Sequence, residues 1–176
     1  MKTKNFASDA EVAALVEAFE TATIPASEFT HAAHIAVALT YLETLPPDQA
    51  LERMREKIRG YAAHHGVSNL YHETLTTFWI KLLDHVATQP IEPSSRPVDA
   101  KRVDLSRRRS PRRPKADPSR RSRLAKADLP LWQRINLIVA RWGSRRPVET
   151  HYSRELIVSR AARESWVPPD RLPLPF

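Results

Sequence analysis

Phe29-Thr30-His31-Ala32-Ala33-His34-Ile35-Ala36-Val37-Ala38-Leu39-Thr40-Tyr41-Leu42 is the stretch whose reading decides the fold. It contains no glycine or proline, and its apolar residues recur at helical spacing, so it reads as an α-helix. His31, Ile35, Ala38 and Leu42 fall on one face, and His34 stands about one turn from His31. Both imidazoles are therefore expected to point toward a core. Ser27 or Thr30 can cap the start, and Pro46-Pro47 closes the helix.

The same pattern extends to either side. Ser8 and Glu11 have capping-box spacing ahead of Val12, Leu15, Val16 and Phe19, which predicts a first helix from Ser8 to about Thr21. Asp48 is the expected N-cap of a third helix that buries Leu51, Met54, Ile58 and Tyr61 and stops at Gly66. A fourth runs from about Leu70 to Ala87, with His72, Thr76, Trp79 and Leu83 along one side. Asp128 and Pro130 open a fifth, with Leu131, Ile135, Ile138, Val139 and Trp142 buried and Gly143 as its stop. A turn capped by Ser153, a short helix from Ser159 through Trp166, and an extended Leu172–Phe176 complete the chain. The expected fold is all-α: a single bundle of about five helices with an extended C-terminal tail, one domain over residues 1–176.

Composition supports this and removes several function classes. Three glycines against fifteen prolines fit helices separated by proline breaks better than a sheet with many tight turns. With no cysteine there is no disulfide, thiolate zinc site or cysteine nucleophile. No apolar run reaches the roughly 18 residues that a membrane span requires, and the first residues lack the apolar run of a signal peptide. A cytoplasmic protein with no membrane partner is the expectation. Its oligomeric state is open.

The net charge of +8 is local. Residues 101–126 hold twelve Lys and Arg against two Asp, a net of +10, so the rest of the chain carries −2. The wider block 90–127 is rich in Arg, Pro and Ser and has no periodicity, which predicts a linker or a disordered basic insert. Such a block is also what a GC-rich gene yields when read out of frame. Arg107, Arg108, Arg109, Arg112 and Arg113 offer a salt-sensitive route to nucleic acid or an acidic partner. The block has no interleaved aromatics and lies in no recognition helix, so nucleic acid is not the favoured partner.

The chemistry-bearing residues gather at two helix starts. His31, His34 and His72 can supply nitrogens to one divalent metal of unspecified identity, with Glu73 as the catalytic carboxylate or as an acceptor for an imidazole N–H. One geometric objection is that His72 and Glu73 are adjacent, so their side chains diverge by about 100° on a helix. His151 and Tyr152 are further candidates. A phosphate-cradling Gly loop and a dinucleotide fingerprint are both absent, so no nucleotide cofactor is expected. The competing readings are a small-molecule site and a purely structural module, in which His72 pairs with Glu73 or Tyr41. Whether the chain is an enzyme stays open.

Phe29-Thr30-His31-Ala32-Ala33-His34, Tyr71-His72-Glu73-Thr74-Leu75-Thr76, Tyr152-Ser153-Arg154-Glu155 and Trp166-Val167-Pro168-Pro169-Asp170 together resemble a family of small bacterial helical proteins. Its members pair a His-x-x-His helix with a Tyr-His-Glu-Thr helix start and keep a similar tail. The resemblance covers about residues 8–88 and 128–176 and implies importance for His31, His34, His72 and Glu73 without naming a reaction.

Overall fold

The computed structural model describes residues 5–88, 129–144 and 146–175. Among them the fold is all-α. The five long helices are α1 (Asp9–Glu20), α2 (His31–Thr44), α3 (Pro47–His64), α4 (Glu73–Thr88) and α5 (Leu131–Trp142). Three short ones follow: α6 (Arg146–His151), α7 (Arg154–Ile157) and α8 (Arg160–Glu164). No helix among the described residues is long and apolar enough to cross a membrane. The basic block, with Arg107, Arg108, Arg109, Arg112 and Arg113, lies outside the described residues.

Helix α2 is the centre. It packs against α1, α3, α4 and α5, and it buries Ala33, the whole run Ile35–Leu39, and Tyr41. A helix that is apolar nearly all round has to be surrounded. Alanines on three of those positions let neighbours approach closely, while Ile35, Val37 and Leu39 each contribute about 1.5–3 kcal/mol by leaving water. Of the two proposed caps, Thr30 is the one used: its hydroxyl accepts the Ala33 N–H at 3.4 Å.

Several expected boundaries shift for identifiable reasons. Helix α3 starts at Pro47, with Pro46 as its extended N-cap, so Asp48 sits in the first turn and favours the helix through its charge. The same exchange occurs at α5, whose N-cap is Pro130. There the cap comes from elsewhere in the chain: Asp9 at the start of α1 accepts the Trp132 N–H at 2.8 Å. Asp128 lies outside the described residues. The stretch expected to open α4 at Leu70 is a separate 3₁₀ turn, Ser68–Leu70, and α4 begins at Glu73.

At the end of α3, Gly66 takes φ +69°. The Val67 N–H reaches the Ala62 carbonyl at 2.8 Å and the Gly66 N–H reaches Ala63 at 3.1 Å, the paired closure of a Schellman turn. Other tertiary ties are specific. Asn136 on α5 clamps Phe6, accepting from its N–H at 2.9 Å and donating to its carbonyl at 2.8 Å. Buried Arg134 grips Glu43 of α2 with both terminal nitrogens.

A second apolar cluster lies on the other side of α4, where Phe78 and Leu82 meet Tyr152, with Trp166, Val167 and Leu174 against them. The C-terminal segment thus folds back on α4. Its short helices start at Ser153 and Ser159, whose hydroxyls cap them. The last ends before Ser165, ahead of the predicted Trp166.

Candidate functional site

Between α2, α3 and α4 lies a cavity of about 270 Å³. His31 and His34 come to it from α2, Met54 and Ile58 from α3, and His72, Thr76, Trp79 and Leu83 from the start and inner face of α4. Its rim is at the 3₁₀ turn, where Leu70 is 67% exposed. The His-x-x-His helix and the Tyr-His-Glu-Thr start therefore meet, a point on which the sequence was silent. Three imidazoles share one chamber.

They are not grouped around one point. Among the described residues no three His, Cys, Asp or Glu side chains are grouped to hold a metal. The reason is visible ring by ring. His34 Nδ1 donates to the Thr30 carbonyl at 2.9 Å, one turn back on its own helix, and the ring packs on Phe29 with centroids 3.9 Å apart. Burial, aided by the nearby charge of His31, lowers its pKa to about 4, although the Thr30 hydrogen bond pulls the other way. The His31 ring stands edge-on to Trp79, 4.6 Å between centroids.

His72 has both nitrogens engaged. Nδ1 accepts the Leu75 N–H at 3.3 Å, which makes His72 the cap of α4, and Nε2 donates to the Ile157 carbonyl at 2.7 Å. A metal at His72 would have to displace one of these bonds, and in this structure the ring makes structural ones.

Glu73 is engaged as well. Its carboxylate turns away from the cavity, as adjacency to His72 requires, and meets α3. Arg55 Nε donates at 2.7 Å, Arg59 Nη2 at 3.2 Å, Tyr71 OH at 2.6 Å and Thr77 Oγ1 at 3.1 Å. Burial would raise its pKa, but the Tyr71 and Arg55 hydrogen bonds outweigh that and hold it below the usual carboxylate value. A carboxylate so enclosed is a poor base, and the catalytic role assigned to Glu73 is not supported by its place. Arg55 lies outside the apolar face that the sequence pattern of the third helix marks as buried. The available signal was Arg55 and Arg59 at i, i+4 opposite an acidic helix start.

His151 and Tyr152 lie apart from the cavity, in the second cluster. His151 Nδ1 donates to the Leu172 carbonyl at 2.7 Å, and Tyr152 OH donates to Val167 at 3.0 Å. Burial, then the charge of Asp170, pushes the Tyr152 phenol up to about 12. Both residues hold the tail. The pairing of His72 with Tyr41 is not made either, since Tyr41 OH donates to Glu20 at 2.8 Å.

Comparison with known protein families, curated proteins and solved structures gives no match.

Proposed function

We propose that this chain binds a small, largely apolar molecule in the cavity between α2, α3 and α4. The supporting observation is the state of His34. Its Nδ1–H is fixed on the Thr30 carbonyl, which leaves Nε2 as the acceptor on a neutral ring lining a mostly aliphatic and aromatic chamber. A few oriented polar groups among apolar walls are the usual composition of a small-molecule pocket, and about 270 Å³ lies just below the usual range of roughly 300–1,000 Å³. A ligand hydroxyl can donate to His34, while the apolar walls take the body of the molecule. An imidazole held near pKa 4 accepts a hydrogen bond well and takes a proton poorly at neutral pH, so binding is favoured over general-base catalysis.

Titration with 1-octanol, followed by Trp79 emission, tests this reading. Saturable binding is expected in the wild type, with loss in Thr76→Phe, where a larger ring on the partly exposed wall fills the chamber. If octanol leaves the emission unchanged up to its solubility, the reading is wrong.

A further inference from the structure

A second cavity adjoins the first. Arg59, Asn69, Tyr71, Val158, Arg160 and Arg163 line a groove of about 640 Å³ where α8 meets the 3₁₀ turn. Tyr71 lines both chambers, and its ring lies 4.6 Å from the Arg59 guanidinium. The groove contains three arginines and one carboxylate, Glu164. Glu164 is engaged by Arg160 at 2.6 Å, on the open surface. Arg59 has Glu73, but shares it with Arg55.

Arg163 has no carboxylate partner among the described residues. Its Nη1 donates to the Asn69 carbonyl at 3.1 Å. A carbonyl fixes a guanidinium in place without neutralising it. The charge also reaches the apolar chamber: after burial and against the Ile157 hydrogen bond, Arg163 helps hold the His72 pKa down. An uncompensated cation therefore sits at the seam between an apolar cavity and an arginine groove.

We propose that the two cavities form one site for an amphipathic anion, with its apolar body among the helices and its carboxylate or phosphate head on Arg163 and Arg59. The proposal rests on the apolar-cavity reading above and adds the headgroup to it. Guanidinium suits either head, because its paired N–H donors match two oxygens of a carboxylate or a phosphate. Tyr71, which lines both chambers, marks where body gives way to head. At a water's share of ~30 Å³ per heavy atom the inner chamber has room for about nine, the size of an eight-carbon chain.

The test is calorimetric titration of the wild type and Arg163→Ala with sodium octanoate, octyl phosphate, inorganic phosphate and 1-octanol at low ionic strength. Both amphipathic anions should bind at least about tenfold tighter than octanol, as a charge-assisted hydrogen bond predicts. Arg163→Ala should bring them to the level of octanol and leave octanol itself unchanged. The tighter of the two anions identifies the head as carboxylate or phosphate. If octanol binds and neither anion binds tighter, the headgroup proposal falls and the apolar reading stands. Inorganic phosphate binding as tightly as octyl phosphate would also overturn it, because the groove would then act alone. If octanol and both amphiphiles fail to bind, the apolar reading falls as well.

Discussion

His72 Nε2 lies 2.7 Å from the carbonyl oxygen of Ile157, and this contact fixes the protonation of the ring. A carbonyl can only accept, so Nε2 carries the hydrogen, and Nδ1 is left to accept the Leu75 N–H that α4 would otherwise leave unpaired. One neutral imidazole thus caps α4 and ties it to a segment 85 residues further along the chain. Asparagine in its place keeps a capping oxygen but loses the long-range bond. We expect His72→Ala to cost about 2–3 kcal/mol and His72→Asn about 1 kcal/mol less, read from urea denaturation. Equal costs for the two variants would mean that the cap contributes nothing.

Acid should destabilise the protein through the same chamber. His34 and His72 both have folded-state pKa values below the ordinary 6.5, chiefly because burial disfavours the charged ring. A group with a depressed basic pKa contributes stability that is complete above 6.5 and is lost as pH falls toward its folded value. For His34 that window runs from about 6.5 down to about 4. Denaturation midpoints measured at intervals across it should fall with acid. They should fall less in His34→Gln, which cannot gain the proton. EDTA at neutral pH should leave the wild-type melting temperature unchanged.

The parts of this arrangement that sequence reveals are those written in local periodicity. The α2 stripe and the side of α4 carrying His72, Thr76, Trp79 and Leu83 follow from spacing alone, whereas the meeting of the two helix starts needs the tertiary packing of α2 on α4. What spacing cannot show is where a side chain is already committed. His34 is engaged by a backbone carbonyl one turn back, and His72 by a carbonyl on α7. Glu73 is engaged by two arginines of α3. Asp9 capping α5 across 123 residues is invisible for the same reason. Arg59, Tyr71 and Arg163 form a groove only after α8 has folded back, so no local motif announces it.

Glu73 is predicted to act as a structural anchor. Glu73→Gln leaves the partly buried Arg55 with only the exposed Glu52 as a carboxylate partner and removes the charge that Tyr71 and Arg59 also use. Breaking a buried pair from one side costs about 3–5 kcal/mol. Arg59 is largely exposed and recovers water, so the lower end of that range is expected here. Chemical denaturation measures the loss. Octanol affinity of the folded variant should stay within about twofold of wild type, because the carboxylate does not line the chamber.

Two helix ends offer opposite substitutions. Ala22, just past α1, holds φ +54° and closes the same two-bond turn that Gly66 closes after α3. A Cβ in the left-handed region costs about 1–2 kcal/mol, which Ala22 pays and Gly66 does not. Ala22→Gly should therefore stabilise the protein by about 1 kcal/mol, and Gly66→Ala should destabilise it by a similar amount. Differential scanning calorimetry of the two variants would resolve both signs. A stabilised Gly66→Ala would contradict the turn geometry.

Thr74 carries the final prediction, because its hydroxyl joins α4 to the C-terminal segment. Fully buried, it donates to the Ser165 carbonyl at 2.8 Å and accepts the Val167 N–H at 3.1 Å. Valine has nearly the same shape and can do neither, so Thr74→Val leaves two backbone groups of the tail unpaired beside an apolar cluster. Each such group costs about 1–3 kcal/mol, whereas Thr74→Ser keeps both bonds and loses one methyl. The tail also carries Ile157, whose carbonyl holds His72, so loosening it should affect the chamber as well as the stability. We expect Thr74→Val to lower the unfolding free energy by about 2–4 kcal/mol and to speed amide exchange in residues 157–167 first, with Thr74→Ser close to wild type. Unchanged exchange in that segment, with the stability lost uniformly, would show that the tail is held by Tyr152 and Trp166 packing and not by this hydroxyl.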